Sequence, residues 1–462
     1  MTTRAGRHVV VVGAGITGLA CAHRLLSTDP SIRVSIIDSN ERVGGLIKTT
    51  PFAGHAGVDE AADAFLLRNP TARALAESVG LGGSLTSPAS GHASVWHSRL
   101  HPLPEGLFLG VPQKPLQLAR TRLISTRGKL RAALEPLIPA TSLDPDNLGE
   151  YMRRRLGNEV HETLIDPLVG SIYAADTDHF SLRGMPQLAE LAGEGRSLLL
   201  SLRKRPKPQP VGPSNPVFAA PNTGMQTLVD AVRNAVEQLG GEVRTSCAVT
   251  SIERSGSTTI VHIGSEELAA DAVVLSSPAR RTAGLVKESA PLAANLLATW
   301  EHASVVMVAL AIPKRSLPRS ATGSGYLVPK PDQRFVTAVS FASQKWAHLD
   351  DGENAILRVS LGRDGAPLHE HHDDELTSYA LADLKLHLGV DLSPSAIRLT
   401  RWVESFPQYR PGHFERVAHV EEHLASELPN VHLAGASYRG IGIPACVEQA
   451  NKVADRIVRH DR

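Results

Sequence analysis

A glycine-rich turn near the N-terminus limits the folds open to this chain more than any other feature. Residues 8–12 form a short, continuous apolar run, which predicts a buried parallel strand. Apolar residues at helical spacing predict a helix over 19–26, and residues 32–37 predict a second strand that Asp38 closes. The turn between the first strand and the helix reads Gly13-Ala14-Gly15-Ile16-Thr17-Gly18. This order is a βαβ unit with an acidic residue twenty positions after the last glycine.

Each part of this unit has a mechanical role in holding a nucleotide. Gly13 permits the tight turn, Gly15 lets the backbone approach a pyrophosphate, and Gly18 lets helix and strand pack closely. The helix N-terminus offers free N–H groups and a partial positive charge to phosphate. Asp38 can accept hydrogen bonds from ribose hydroxyls. We therefore predict a nucleotide site, with a glycine turn at an empty helix end as the alternative.

The residues after Asp38 indicate which nucleotide this is. Arg42 can form paired hydrogen bonds with a phosphate, and Gly44 and Gly45 allow a second close approach of backbone to ligand. This extension of the motif resembles that of FAD-binding flavoproteins of the amine oxidase type and differs from NAD-dependent dehydrogenases. The alternative is that Arg42 is an ordinary surface charge.

The C-terminal part of the chain has a second strand–turn–helix order. Residues 431–433 predict a short strand, and helical spacing of apolar residues predicts a helix from Ala445 onward, with Pro444 as its first residue. A glycine-rich turn lies between them. In flavoproteins of this type, such a turn faces the isoalloxazine ring, and the helix end stabilises negative charge on the reduced flavin. The alternative is an ordinary strand–turn–helix that closes a domain.

The whole pattern predicts an α/β fold. A Rossmann-like FAD-binding domain is combined with a mixed-sheet substrate domain and a helical insertion, as in amine-oxidase-type flavoproteins. Within it we expect a helix over 223–239 and strands over 243–249, 258–263, 272–275, 303–312, 334–341 and 354–361. The predicted division is FAD domain over 1–85, largely helical substrate or insertion domain over 86–215, FAD domain again over 216–285, substrate-binding sheet domain over 286–400, and FAD domain over 401–462.

Composition excludes several classes of function. The 462 residues include 48 Lys+Arg and 47 Asp+Glu, and this balance argues against binding of nucleic acid. The three cysteines are far apart and fit a reducing compartment. No apolar run reaches the roughly 18 residues of a membrane span, and the polar residues 1–7 do not resemble a signal peptide. We expect a cytoplasmic protein without a transmembrane anchor.

Beyond the FAD fingerprint, four passages resemble the oxygen-dependent porphyrinogen oxidases of haem biosynthesis, especially the bacterial branch that oxidises coproporphyrinogen III. The resemblance spans most of the chain. The passages are Ala62-Asp63-Ala64-Phe65-Leu66-Leu67-Arg68, residues 167–176 with Tyr173, the run from Trp402 to His413, and residues 433–444. Ala61, Ala62 and Ala175 depart from the family, which commonly has Gly-Pro and glycine there, and this could change local backbone geometry.

The resemblance implies an activity. Oxidation of coproporphyrinogen III to coproporphyrin III would remove six electrons in three flavin turns, with oxygen reoxidising the flavin to yield hydrogen peroxide. The cofactor supplies the chemistry, and the protein supplies position, dryness and charge placement. We accordingly expect no single catalytic acid or base and no metal, and we interpret the cluster at 371–374 as a solvated helix start. A transient contact with the next enzyme of the haem pathway is a further expectation.

The resemblance also implies a set of site residues. Substrate propionates need cationic partners, for which Arg68 and Arg439 are candidates, although either could be a structural ion pair. Tyr173 is a candidate for the cavity wall or a packed core aromatic. The residues expected to contact FAD are Gly13, Ala14, Gly15, Ile16, Thr17, Gly18, Asp38, Ser39, Arg42, Gly44, Gly45, Leu46, Ala62, Asp63, Val249, Trp402, Gly435, Ile441, Gly442 and Ile443.

Other functions stay open at this point. Protoporphyrinogen IX, with two propionates and two apolar vinyl groups, is the close alternative as substrate; a chain without an evident anchor suits coproporphyrinogen III, whose four propionates make it well hydrated. Amine oxidases and carotenoid desaturases share the FAD fingerprint but lack the passage around Tyr173. A non-catalytic FAD-containing scaffold or a porphyrin carrier is the most remote alternative.

Overall fold

The computed structural model describes residues 6–205 and 216–459. A basic run begins at Arg203, and its continuation over 206–208 lies outside the described residues. The fold is built on a five-stranded, wholly parallel sheet. Its strands, in spatial order, are Glu242–Arg244, Arg33–Ile37, His8–Val12, Ala272–Leu275 and Val431–Leu433. Three distant parts of the chain therefore contribute to one sheet, as the strand predictions require.

Two layers cover this sheet, because its continuous apolar strands need burial on both faces. Val9, Val11 and Ile36 face one core, which is closed by the helices Ile16–Thr28, Thr71–Ser78, Gln226–Gln238 and Ile443–Arg459. The opposite face, with Val10 and Ile37, packs against a second core. That layer contains the helices Ala279–Val286, Pro291–Ala298 and His413–Glu427 and the antiparallel strands Val249–Ser255, Thr258–Ile263 and Glu266–Ala270.

One predicted strand of this region is wrong. The segment 243–249 divides into Glu242–Arg244 and the start of Val249–Ser255. Between them Ser246 has a φ of 54°, and its N–H donates to Asn40 O while the Cys247 N–H donates to Asp38 O, both at 2.8 Å. These bonds carry the chain across the end of the parallel sheet and interrupt the extended conformation.

A seven-stranded mixed sheet forms the second unit. Its strands, in spatial order, are Ala396–Pro407, His302–Pro313, Asn354–Leu361, Val336–Phe341, Gly325–Leu327, Ser94–His97 and Arg99–Pro102. Leu310, Leu357 and Val359 face a core that the helix Asp373–Leu388 covers. On the other face, Ala309 and Ile356 join the core of the first unit. The two units are therefore packed together through one face of this sheet.

The third unit is largely helical and has its own core. Its α-helices are Pro115–Arg120, Thr126–Ala133, Leu148–Leu156, Asn158–Val160, Asp166–Tyr173, Pro186–Gly193 and Leu198–Lys204, with a π-helical turn at His161–Ile165. Outside the three units' main elements lie the short helix Ala342–Lys345 and the strands Thr49–Phe52, His55–Asp59, Phe65–Leu66, Leu85–Thr86, Leu107–Phe108, Val111–Pro112 and Phe218–Pro221. Short 3₁₀ turns occur at Gly82–Ser84, Glu135–Leu137, Thr177–His179, Leu182–Gly184, Lys314–Ser316, Lys330–Asp332, Ala347–Leu349 and Leu368–Glu370.

This arrangement confirms the predicted α/β fold with a mixed-sheet unit and a helical insertion, but the predicted boundaries cut through elements. Strands Ser94–His97 and Arg99–Pro102 leave the helical segment and join the edge of the seven-stranded sheet. Strand Ala396–Pro407 continues through the predicted boundary at 400/401, because it pairs with His302–Pro313 up to its last residue, Pro407. Helix Pro291–Ala298 belongs to the first unit rather than to the sheet unit.

Within residues 6–205 and 216–459, no helix combines the length and apolar character needed to cross a bilayer.

The helical unit contains a buried ion pair that allows a stability test. Arg155 and Glu135 are 1% and 0% exposed, and Arg155 Nε donates to Glu135 Oε1 at 2.8 Å. Arg155→Ala leaves a buried carboxylate without its cation, and we expect a loss of about 3–5 kcal/mol in local stability. Amide hydrogen exchange over Leu148–Leu156 measures this loss.

The control is the exposed pair Arg73–Glu77, whose side chains are 59% and 48% exposed. Arg73→Ala should cost less than about 1 kcal/mol, because water screens such a pair. Equal effects of the two substitutions would contradict the assignment of Arg155 as a core residue.

Candidate cofactor and active site

Two loops meet at the carboxyl end of the parallel sheet and form the predicted phosphate site. The N–H of Gly13 donates to Ile37 O at 2.8 Å, which closes the first turn onto the neighbouring strand. The N–H of Gly44 donates to Ala14 O at 2.8 Å, and Gly15 forms an isolated bridge with Gly44. The two glycine motifs that the sequence places about thirty residues apart are therefore in direct contact.

The two key glycines of the first turn have different surroundings. A Cβ at Gly18 would lie 2.0 Å from Gly13 O, so Gly18 is required by packing. A Cβ at Gly15 would meet no atom within 4 Å, although this residue caps the helix Ile16–Thr28. No side chain accepts from the first-turn amides at this cap. Open space in front of uncapped helix amides fits a phosphate group.

Asp38 lies beside this turn and is buried. Its Oδ2 accepts from the Ala14 N–H at 2.7 Å, and its Oδ1 accepts from the Asn40 N–H at 2.8 Å. The Asn40 side-chain amide also donates to Oδ1 at 2.8 Å; because a carboxylate has about four lone-pair positions, one remains for a ribose hydroxyl. The loop at Cys247 closes over Asp38 and leads into Val249, which is half-buried at the start of its strand. Ser39, which follows Asp38 after the carboxyl end of the strand Arg33–Ile37, is exposed.

Arg42 has a different environment from the one predicted. Its guanidinium donates to three carbonyls of its own loop, at Val43, Gly45 and Ile47. It therefore shapes the Gly44-Gly45 turn from behind, and a direct contact with phosphate stays a prediction. Leu46 is 38% exposed on the same loop.

The segment before Arg68 is held by the seven-stranded sheet. Asp63 lies between Lys345 Nζ at 2.8 Å and Arg358 Nη1 at 2.9 Å. Burial alone would raise the pKa of Asp63, but these two cations hold that pKa well below its usual range. Trp402 Nε1 donates to Glu60 O at 2.9 Å. The side chains of Asp63 and Trp402 thus join two units, and contacts of Ala62, Asp63 and Trp402 with a cofactor stay predictions.

The turn after the last strand, residues 434–442, is here called the C-terminal turn. Three hydrophobic cores reach it: the two cores on either face of the parallel sheet, through Ala436 and Tyr438, and the core of the helical unit, through Ile441. Gly435 has a φ of +139°, which favours glycine. The turn therefore lies where the parallel-sheet unit meets the helical unit.

Four buried side chains outside the turn bind its backbone. Tyr409 Oη donates to Ala436 O at 2.6 Å and accepts from the Gly440 N–H at 2.7 Å. Gln449 Oε1 accepts from the N–H groups of Gly435 and Arg439 at 3.3 and 3.2 Å. The remaining two bind successive carbonyls of the turn: Trp300 Nε1 donates to Ser437 O at 2.9 Å, and His413 Nε2 lies 2.8 Å from Tyr438 O.

The sequence prediction missed these four as site residues. Tyr409 and His413 lie within a passage that carries the family resemblance, which is the only signal for them in the sequence.

The hydrogen bonds to the C-terminal turn leave a defined set of its backbone donors free. In the described part of the chain, the N–H groups of Ile441, Gly442 and Ile443 have no acceptor. They lie at the N-terminus of the helix Ile443–Arg459, where a partial positive charge adds to them. Free N–H donors at a helix N-terminus are suited to hydrogen-bond the electron-rich edge of a flavin.

The three predicted substrate residues lie in different surroundings. The guanidinium of Arg68 is 5.4 Å from the centroid of the Phe108 ring and forms no ion pair with the described residues. Arg439 is exposed and paired with Glu421 at 2.5 Å, so its charge is compensated at the surface. Tyr173 is half-buried against Phe180, and burial raises the pKa of its phenol to about 12.

The three alanines that depart from the family, Ala61, Ala62 and Ala175, do not strain the backbone. None of them has a positive φ, although the neighbouring Ala174 has a φ of 50°.

The cluster at 371–374 is a helix start, as predicted, with the His372 N–H donating to Glu375 Oε2 at 3.0 Å. Over residues 6–205 and 216–459, no group of three metal-binding side chains occurs.

A row of half-exposed side chains crosses the seven-stranded sheet and is here called the sheet strip. Its members occupy paired positions on five neighbouring strands, namely Thr400, Met307, Ser360, Ala338 and Leu327. With strands about 4.8 Å apart, the row spans about 19 Å. It belongs to the face that packs on the first unit, and half-exposure at the centre of a sheet indicates a cleft there.

The sheet strip lies between two passages predicted to contact ligands, the segment around Asp63 and the passage around Tyr173. On one side, Arg398 Nη2 on the next row donates to Val58 O at 2.9 Å, in the segment that leads to Asp63. On the other side, the loop after Ser360 holds the Tyr173 passage, because the Asp364 N–H donates to Ala174 O at 2.7 Å. The sheet strip is therefore bordered by the segment before Asp63 and by the Tyr173 passage.

These features define a dinucleotide-binding flavoprotein with a second, substrate-holding sheet. Comparison with known proteins agrees. The profile of the flavin-containing amine oxidoreductase family matches residues 16–458, and the chain belongs to this family. It is an FAD-dependent oxidoreductase, as the sequence predicts.

Three relatives are similar over almost the whole chain. Coproporphyrinogen III oxidase of Bacillus subtilis is 34% identical, with 96% of each chain covered. Coproporphyrinogen III oxidase of Mycobacterium tuberculosis H37Rv is 31% identical, over 98% of this chain and 97% of the relative. The crystal structure of a putative protoporphyrinogen oxidase from Exiguobacterium is 28% identical, with a TM-score of 0.84 and 98% of each chain covered.

Gly15→Val tests the placement of the phosphate site. The backbone at Gly15 has φ −71° and ψ 174°, which valine adopts freely, and its side chain would enter open space. We expect a folded protein with an unchanged thermal midpoint in its FAD-free form and at least about tenfold weaker FAD binding, a loss of about 1.4 kcal/mol. Absorbance of the bound flavin measures this.

Gly284→Val is the matched control, because Gly284 also faces open space but lies on the helix Ala279–Val286, away from the two glycine turns. It should keep its full flavin content. Normal flavin content in Gly15→Val would contradict the site described here.

Proposed function

We propose that this chain oxidises coproporphyrinogen III to coproporphyrin III in haem biosynthesis, with FAD as cofactor, oxygen as electron acceptor and hydrogen peroxide as product. The observation that carries the proposal is the similarity to coproporphyrinogen III oxidases over 96% of the chain. The activity would be cytoplasmic, and a transient contact with the next pathway enzyme is part of the proposal.

The cleft supports this function in its shape and chemistry. The sheet strip is long, and its side chains are small, uncharged or, at Met307, flexible and polarisable, which suits a broad and electron-rich macrocycle. FAD supplies the electron-accepting chemistry when bound. The residues of the chain would orient the macrocycle beside the C-terminal turn and keep water away from it.

We propose that Arg68, rather than Arg439, supplies the positive charge that binds a propionate of the substrate. The Arg68 guanidinium is stacked on Phe108 without a carboxylate partner in the described residues, so it is available to a propionate. Arg439 would first have to break its pair with Glu421. We propose no side-chain acid or base, because aromatisation of the macrocycle supplies the driving force.

Protoporphyrinogen IX is the second candidate, since a solved relative bears the name of a putative protoporphyrinogen oxidase. Turnover of the two substrates by one preparation distinguishes them. We expect a kcat/KM at least about tenfold higher for coproporphyrinogen III, a difference of about 1.4 kcal/mol in transition-state stabilisation. Porphyrin fluorescence and hydrogen peroxide release measure it. Equal or reversed preference would contradict the substrate assignment, and a flavoprotein inert to both would contradict the function.

Met307→Trp tests the position of the substrate. The larger side chain would fill the sheet strip between Thr400 and Ser360, and we expect kcat/KM for coproporphyrinogen III to fall about tenfold, or about 1.4 kcal/mol, with flavin content unchanged. Met307→Leu, which nearly conserves volume, should retain most of the activity. Full activity of the tryptophan variant would place the substrate elsewhere.

A further inference from the structure

We propose that Tyr409 is a positioning residue for FAD, because its phenol holds the C-terminal turn in the shape that leaves the amides of residues 441–443 free. This inference rests on FAD binding and is independent of which substrate is oxidised. Tyr409 would touch neither the flavin nor the substrate, and it would act through the backbone of the turn.

The phenol joins two points of the turn that are four residues apart. Its hydroxyl donates to Ala436 O at 2.6 Å and accepts from the Gly440 N–H at 2.7 Å. The side chain is fully buried, and burial raises the pKa of Tyr409 well above its usual value. The hydroxyl therefore keeps its proton and can serve as donor and acceptor at once.

The position of this bridge matters because it ends directly before the three residues with free N–H groups. Gly440 has a φ of +132°, and a Cβ there would lie 2.6 Å from the Ala445 side chain, so this residue has a restricted place. Fixing the Gly440 N–H toward the phenol sets the direction of the peptides after it. The donors of residues 441–443 are thereby kept turned away from the protein.

Tyr409 reaches the turn from a different unit. It follows the strand Ala396–Pro407 of the seven-stranded sheet, and the Ser181 N–H of the helical unit donates to its carbonyl at 2.7 Å. Its ring stacks on His413 with centroids 4.0 Å apart. The ring packing persists when only the hydroxyl is removed, so Tyr409→Phe isolates the bridge.

The test is made on FAD-free protein that is reconstituted with FAD. In Tyr409→Phe, two buried backbone groups lose their partner, and the turn can relax by redirecting the amides that face the flavin. We expect at least tenfold weaker FAD binding, measured by titration of flavin fluorescence. We also expect the midpoint potential of the bound flavin to become more negative, because the reduced, more electron-rich form gains most from these amides.

Tyr326→Phe is the matched control. Tyr326 is a buried tyrosine of the seven-stranded sheet whose hydroxyl lies 3.0 Å from His387 Nδ1, and it packs in the core on the far side from the first unit. It loses one buried hydrogen bond without touching the turn. FAD affinity and flavin potential should match those of the unaltered protein. If Tyr409→Phe behaves like this control in both measurements, the proposal is wrong.

Gln449→Met gives a second measurement if Tyr409→Phe does not fold. Gln449 binds the same turn through Gly435, Arg439 and Gly440, and lies within the helix Ile443–Arg459, where methionine is well tolerated. We expect weaker FAD binding and a more negative potential again. Unchanged values would show that the ties of the turn do not govern the flavin and would overturn the proposal.

Discussion

Pairing of the last strand with the parallel sheet is the constraint on which the site depends. Val431–Leu433 lies beside Ala272–Leu275 in register, with Val273 opposite Val431, so the chain closes a sheet that begins at His8. This pairing brings the C-terminal turn to the same end of the sheet as the first glycine turn. It also sets the helix Ile443–Arg459 against Ile16–Thr28. The N-termini of both helices then face one region, and their partial charges add there.

The C-terminal turn needs so many buried side-chain partners because most of its own residues are buried or half-buried, and buried backbone groups require hydrogen bonds. A buried N–H or C=O that lacks a hydrogen-bond partner costs about 1–3 kcal/mol. In the C-terminal turn, at least six backbone N–H and C=O groups avoid this cost by bonding to side chains. Its conformation is irregular, so neighbouring strands cannot satisfy these groups. Buried side chains do so instead: three belong to the parallel-sheet unit and Tyr409 belongs to the core of the helical unit, so the shape of the turn depends on how these two units pack.

The sheet strip follows from the same packing. One face of the seven-stranded sheet has to cover the first unit and leave room for ligands, so its central positions carry small or flexible side chains. The opposite face packs continuously under the helix Asp373–Leu388. Alternation along each strand thus separates a stabilising face from a face available for function.

Local signals were sufficient for much of the fold. The apolar run at 8–12, the strands at 258–263, 272–275 and 431–433, and the first glycine turn were predicted correctly, because each is encoded by neighbouring residues. Elements that depend on distant pairing were not. The strands at 94–97 and 99–102 were placed in a helical segment, since nothing nearby in sequence indicates that they extend a remote sheet.

The amino-acid sequence alone established the class of cofactor, because a glycine turn, a ribose-binding acid and a helix N-terminus are consecutive in the chain and each has a local physical reason. The roles of individual side chains came from three-dimensional packing. Arg42 turns to carbonyls of its own loop, Asp63 is held by Lys345 and Arg358, and Arg439 pairs with Glu421 at the surface. Tyr409 became recognisable only through its contacts, because the groups it binds lie 27 and 31 residues away. A hydrogen bond requires a distance and a direction, and those exist only after the units have come together.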